Sequence, residues 1–228
     1  MSVVQNAELT DTERAFNALR RAILHGDHAP GEKLKMEELK ARYGLGASPL
    51  REALARLTSE RLVAFNGGRG FRVTGVSVDD LQEIAAVRKL LEGAALRAAI
   101  ANGGDEWEAD IVAAFHRLSV AEKRVLEDRS AMDECEARNR EFHQNLMAAA
   151  GSERLIQLAE DMYDQHERYR RLSRLERSPT RNVHEEHHAI MNAALDRNAD
   201  LASSLNDEHI DKTTERVSQM IAQMPHSN

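Results

Sequence analysis

The chain has one cysteine, Cys135, in 228 residues. A single thiol cannot build an internal disulfide framework and fits a reducing compartment. No stretch approaches the roughly 18 consecutive apolar residues of a membrane span. The N-terminus lacks the basic-then-apolar pattern of a secretory signal. The chain is therefore expected in the cytoplasm, with no membrane partner. A glycine-rich phosphate loop and a nucleophile elbow are missing too. So is a His-Glu-x-x-His helix, because Glu185-Glu186-His187-His188 has the wrong spacing. There is no fixed-period repeat and no low-complexity tract. These gaps set the common enzyme classes aside, and the expectation is a protein that is not an enzyme.

What is present is ordinary in bulk. Apolar residues make up 42% and charged residues 30%, as in a water-soluble globular chain. The length suits one large or two small domains. The net charge of −7 is unevenly spread. Residues 8–76 hold 12 Lys/Arg against 9 Asp/Glu, whereas the rest of the chain holds 19 against 29. A mildly basic front thus precedes an acidic back. For a polyanionic partner the local field decides, because screening cuts off beyond about 8–10 Å at physiological salt.

The front reads as short helices followed by a hairpin. Thr10 or Asp11 can cap a helix running to about His25, with Ala15, Leu19, Ala22 and Ile23 on one face. A second helix, about Met36 to Tyr43, has Met36, Leu39 and Tyr43 inside, and Gly44 ends it. Ser48 then reads as the cap of a third helix with Pro49 at its first position. Leu50, Ala53, Leu54 and Leu57 form its buried stripe and leave Arg51 and Arg56 outside it. Residues 62–65 and 71–73 read as strands joined by a turn containing Gly67, Gly68, Arg69 and Gly70. This order builds a winged helix-turn-helix over residues 8–76. Such a unit sets a helix in the DNA major groove and a wing on the backbone or minor groove. Arg51, in the first turn of the third helix, is the candidate base reader. Ser48, Gly68 and Arg69 are candidate phosphate or minor-groove contacts, and Arg56 divides evenly between a phosphate and a surface ion pair. Lys33, Lys35 and Lys40 read as solvated charges.

Beyond Val76 no strand signal appears. Helical periodicity recurs at about 79–102, 106–128, 130–150, 152–173, 181–197 and 199–223, which predicts an all-helical bundle of about six helices over residues 77–224. Three of its inner faces carry histidine. Asn139 and His143, four residues apart, share the stripe of Cys135, Phe142, Leu146, Met147 and Ala150. His187 lies beside Ile190, Met191 and Ala194, although periodicity leaves His188, aligned with Met191 and Leu195, equally open. His209 aligns with Leu205, Thr213 and Val217. Imidazoles and an amide aimed into an apolar interior need partners, and one metal ion would partner all of them. His25, His28, His116, His166 and His226 read as surface residues. Arg88 sits on the stripe of Leu81, Ile84, Ala85, Leu91 and Ala95. There it either pairs with Glu92 at i+4 or clamps the carboxylate of a bound effector.

The front resembles the winged helix of the GntR family of bacterial transcription regulators. The similarity rests on Leu50-Arg51-Glu52-Ala53-Leu54, Leu57 and Leu62-Val63, then Gly68-Arg69-Gly70-Phe71-Arg72-Val73. The back is similar to the FCD ligand domain of the FadR subfamily. There the matching stretches are Val87–Glu92, Phe142-His143, Ala149–Ser152, Glu186–Ile190 and Glu208–Ile210. The resemblance implies a homodimer on an inverted-repeat operator in double-stranded DNA, most often as a repressor. It implies a helical domain that binds a small organic acid, often through a divalent metal (Zn first, with Ni, Mn or Fe as alternatives). It selects His187 over His188 and gives the ligand set Asn139, His143, His187 and His209. Two positions depart from the family pattern. An Arg often follows the recognition-helix Ser, where this chain has Pro49, and the metal site usually begins with Asp where this chain has Asn139. A metal-dependent hydrolase built in the bundle is the alternative from another class, and a pure metal sensor is a third reading.

Overall fold

A computed structural model describes residues 9–173 and 181–223, so His226 lies outside the described residues. The described residues form two compact units: residues 9–78 with 167–173, and residues 79–166 with 181–223.

In the first unit, α1 (Asp11–Leu24), α2 (Met36–Tyr43) and α3 (Ala47–Ser59) pack on a three-stranded sheet. Thr10 caps α1 through a capping box. Its Oγ1 accepts from Glu13 N at 3.2 Å while its own N–H donates to Glu13 Oε2 at 2.8 Å. The expected stripes fill the core: Ala15, Leu19, Ala22 and Ile23 from α1, then Leu50, Ala53, Leu54 and Leu57 from α3. On α2 only Leu39 is fully buried, and Met36 and Tyr43 are half-buried. Ser48 is not the cap of α3. Gly46 holds that position without a side-chain bond, and Leu50 N donates to Gly46 O at 3.4 Å. Pro49 still fits, because the first-turn N–H groups of a helix have no intrahelical acceptor to lose.

β2 (Val63–Asn66) and β3 (Gly70–Val73) form the expected hairpin, with Asn66 opposite Gly70. The turn between them depends on Gly68 and Gly70, at φ +77° and +80°, a region that side chains rarely adopt. Sequence periodicity gave no sign of β1 (Lys33–Leu34), which pairs with β3 in the order β1-β3-β2. Residues 167–173 belong with this unit through Arg168, whose Nη2 donates to the carbonyls of Thr74 and Gly75. Tyr169 Oη also accepts from Ser77 N at 3.4 Å.

The second unit contains α4 (Val78–Asn102) from Asp79 onward, α5 (Asp105–Glu127), α6 (Met132–Met147), α7 (Glu153–Ser173) as far as His166, α8 (Val183–Leu195) and α9 (Ala199–Gln223). These are the six helices the sequence predicts. One core joins Leu96 and Ala99 of α4, Ile111 and Leu118 of α5, Phe142 and Leu146 of α6, Ile190 of α8 and Ala202 of α9. Two histidines read as surface residues are buried instead. His28 bridges Glu32 and Tyr43 at 2.8 and 3.0 Å, and His166 meets Thr214 Oγ1 at 3.2 Å. Each has polar partners that sequence spacing does not announce.

Candidate metal centre and nucleic-acid surface

The buried stripe of α3 fixes what the helix shows to solvent. With Leu50, Ala53, Leu54 and Leu57 inward, Ser48, Arg51, Glu52 and Arg56 are exposed. Arg51 has no salt-bridge partner among the described residues. Arg56 turns back towards α1, its guanidinium 4.1 Å over the ring of Phe16. Arg69 stands exposed at the wing tip, where Arg69 N donates to Asn66 O at 2.9 Å and closes the turn. Lys35 and Lys40 pair with Glu38 and Glu37, as solvated helix charges commonly do. The unit thus presents two guanidinium groups, Arg51 on the helix and Arg69 on the wing, that can meet phosphate or base edges.

In the helical unit the structure brings His143 of α6, His187 of α8 and His209 of α9 together. All three are buried, and one ligand atom of each lies within 4.8 Å of the others. Ring centroids are 5.4 Å apart for His143–His187 and His143–His209, and 4.7 Å for His187–His209. Of the two neighbouring histidines, His187 is buried and His188 exposed. The donor set fits a borderline divalent ion. Three imidazoles from three helices converge, the donor type that holds zinc at ~2.0–2.1 Å.

Asn139 is buried one turn before His143 and donates from Nδ2 to Tyr163 Oη at 2.6 Å. Tyr163, absent from the sequence-based set, is a hub. Its ring lies 5.7 Å from that of His143, and the guanidiniums of Arg88 and Arg140 sit 4.8 and 5.1 Å over it. Arg88 is paired: Nε and Nη2 reach Glu92 Oε1 at 2.7 and 2.6 Å, with both residues 2% exposed. Asn206 Nδ2 donates to the other oxygen of Glu92 at 3.0 Å.

Two carboxylates also stand beside the histidines. Glu122 of α5 has Oε1 3.4 Å from Nδ1 of His187 and Oε2 3.0 Å from Nδ1 of His184. Burial pushes the Glu122 carboxyl up, but the contacts with His187 and His184 outweigh it and hold the group below the ordinary carboxylate range. Glu186 Oε2 lies 2.8 Å from Nδ1 of His209, and Arg181 grips both oxygens of Glu186 at 2.9 and 2.6 Å. No sequence signal marks this pairing. Glu122 and Glu186 sit at half-buried positions beside the apolar stripes, and the contacts cross between helices.

A winged helix with arginines on its third helix and wing, carried on a chain whose other unit is a helical bundle, defines a DNA-binding transcription regulator. The comparisons agree. The bacterial regulatory protein gntR family matches residues 11–73, and the FCD domain family matches residues 83–212. The chain belongs to the GntR family and carries an FCD domain. It is 40% identical to the uncharacterized HTH-type transcriptional regulator BphR of Paraburkholderia xenovorans, over 91% of this chain and 85% of that protein. It is 37% identical to the HTH-type transcriptional repressor GlaR of Escherichia coli, over 86% of this chain and 90% of the relative. Among solved structures, Escherichia coli McbR/YncC shares the fold with a TM-score of 0.77 at 21% identity, covering 94% of this chain and all of the other. Among the described residues, no helix is long and apolar enough to cross a membrane.

Proposed function

We propose that this DNA-binding regulator is a cytoplasmic homodimeric repressor whose operator affinity is set by a small carboxylate bound at a divalent metal in the helical domain. The observation that carries the reading is the buried cluster of His143, His187 and His209. These three side chains would hold the ion through ring nitrogens. Bound there, it would supply a Lewis-acidic centre with open positions for carboxylate oxygens. Asn139 would serve as a weak neutral fourth donor. The cluster would then carry one more positive charge than a relative with Asp at this position, which favours an anionic effector. The repressor name of the relative GlaR supports the direction of control.

The residues of the first unit supply the readout. Arg51 would read a base edge in each half-site of an inverted repeat, while Ser48, the wing glycine Gly68 and Arg69 would set the register on the backbone. Arg56 stays on Phe16 or moves to a phosphate. A ligand can shift operator affinity only by binding the DNA-competent and incompetent states differently.

Operator DNA titrated with and without divalent metal, and with a panel of small organic acids, tests the scheme. Release by one acid only when metal is present is the expected result. Release by metal alone would make the protein a metal sensor. The metal reading fails if the wild type binds no divalent ion at neutral pH, or if His187→Ala binds with unchanged stoichiometry and affinity.

A further inference from the structure

Three neutral imidazoles and a neutral amide offer a divalent cation no compensating charge, and nothing in that set fixes which ring nitrogen faces the centre. The two carboxylates beside the cluster meet both needs. Glu186 Oε2 is 2.8 Å from Nδ1 of His209, and Glu122 Oε1 is 3.4 Å from Nδ1 of His187. At His209 the carboxylate accepts at 2.8 Å and favours the proton on Nδ1 over the longer approach of Arg181 Nη2, 3.3 Å from the same nitrogen. At His187 the Glu122 contact is too long for a hydrogen bond and favours the same tautomer through charge alone. The Nε2 lone pair is then on the opposite edge of the ring. Neither carboxylate is loosely held. Glu122 also takes His184 Nδ1 at 3.0 Å, and its side chain is 21% exposed. Glu186, 14% exposed, is gripped by Arg181, whose Nη1 is itself tied to Thr213 Oγ1 at 2.9 Å.

We infer that Glu122 and Glu186 are positioning residues of the metal centre. They orient His187 and His209 with Nε2 towards the ion and supply, one residue outward, the negative charge that Asn139 does not. The inference rests on the proposed metal site and adds two residues that touch no ion themselves. Such outer partners raise the basicity of imidazole ligands, and their loss typically costs 10–100-fold in metal affinity.

The test compares Co(II) binding by wild-type protein, Glu122→Gln, Glu186→Gln and the exposed control Glu106→Gln, read by chelator competition and by the visible spectrum of the bound ion. Each Gln variant at 122 and 186 should bind 10–100-fold more weakly with a changed spectrum. The control should match wild type, and the metal-free melting temperatures of variants and wild type should agree. A second readout needs no variant: imidazole 15N shifts of the metal-free wild type should show His187 and His209 protonated on Nδ1. If wild type binds Co(II) and both Gln variants bind it with the same affinity and spectrum, the assignment is overturned while the metal site stands. Protonation of His187 and His209 on Nε2 overturns it equally. If wild type takes up no Co(II), the metal site itself falls, and the assignment with it.

Discussion

Arg51 and Arg88 are both arginines on helices, and their surroundings give them opposite tests. Arg51 is exposed at the start of the recognition helix. Arg51→Ala should leave the melting temperature unchanged, weaken operator binding by about 1–3 kcal/mol and relax preference at one base pair per half-site. Operator titrations against single-base variants measure this, and wild-type affinity would misplace the recognition helix. Arg88 is buried against Glu92, so Arg88→Ala leaves the Glu92 carboxylate with Asn206 Nδ2 as its hydrogen-bond donor among the described residues. Removing one partner of a buried pair costs about 3–5 kcal/mol, and urea unfolding should show it. If Arg88 instead clamps an effector carboxylate, the variant loses the effector response and keeps its stability. The pair was legible in the sequence, because i and i+4 share a helix face and Glu92 is the only acid there for Arg88. The three histidines were legible for a related reason: each lies on an apolar stripe. Glu122, Glu186 and Tyr163 were not, because their partners come from other helices and spacing within one helix does not show them.

At the scale of the element, hydrophobic spacing located every α-helix among the described residues, and turn chemistry located the wing. Spacing failed where an element is too short to have a period, as in the two-residue strand β1. It failed also at the start of α3. Ser48-Pro49 is a good cap sequence, but the preceding Gly46 takes the cap position, leaving Ser48 and Pro49 in a first turn that tolerates both. The cap of α1 gives a pH-dependent prediction. Bonds from Thr10 N–H and Oγ1–H hold the Glu13 carboxyl below its ordinary value of 4.5. A depressed acid stabilises the fold above its unfolded pKa, and that contribution disappears as pH falls through the folded value. Glu13→Gln should therefore lower stability at pH 7, and the difference from wild type should shrink as pH falls below 4.5. A difference that stays constant down that range in urea titrations would remove Glu13 from the capping box. Thr10→Ala, which loses the Oγ1 side of the box, should cost about 0.5–2 kcal/mol.

At the scale of the whole molecule, the −7 net charge conceals the division that matters, a basic-leaning DNA-binding front and an acidic helical back. The sequence shows that division, but the acidic excess is not uniform around the cluster, where Arg181 and Lys212 face Glu186. Control of DNA binding by a ligand in the helical domain is a coupling free energy, and equilibrium linkage makes it reciprocal. If the effector weakens operator binding by some factor, operator DNA must weaken effector binding by the same factor. Couplings of this kind are about 1–3 kcal/mol, or roughly 5–150-fold. The effector dissociation constant is therefore to be measured by calorimetry on metal-loaded protein, with and without saturating operator, and the ratio set beside that from operator titrations. Equal ratios are expected for wild type. For His187→Ala both ratios should fall to one together, because losing the centre removes the differential binding that does the coupling. Unequal ratios in wild type would mean that the acid acts outside the two-state equilibrium, for instance by binding the DNA-binding unit directly. A ratio of one for both ligands in wild type would remove the effector from the scheme and leave a regulator set by metal or by its own concentration.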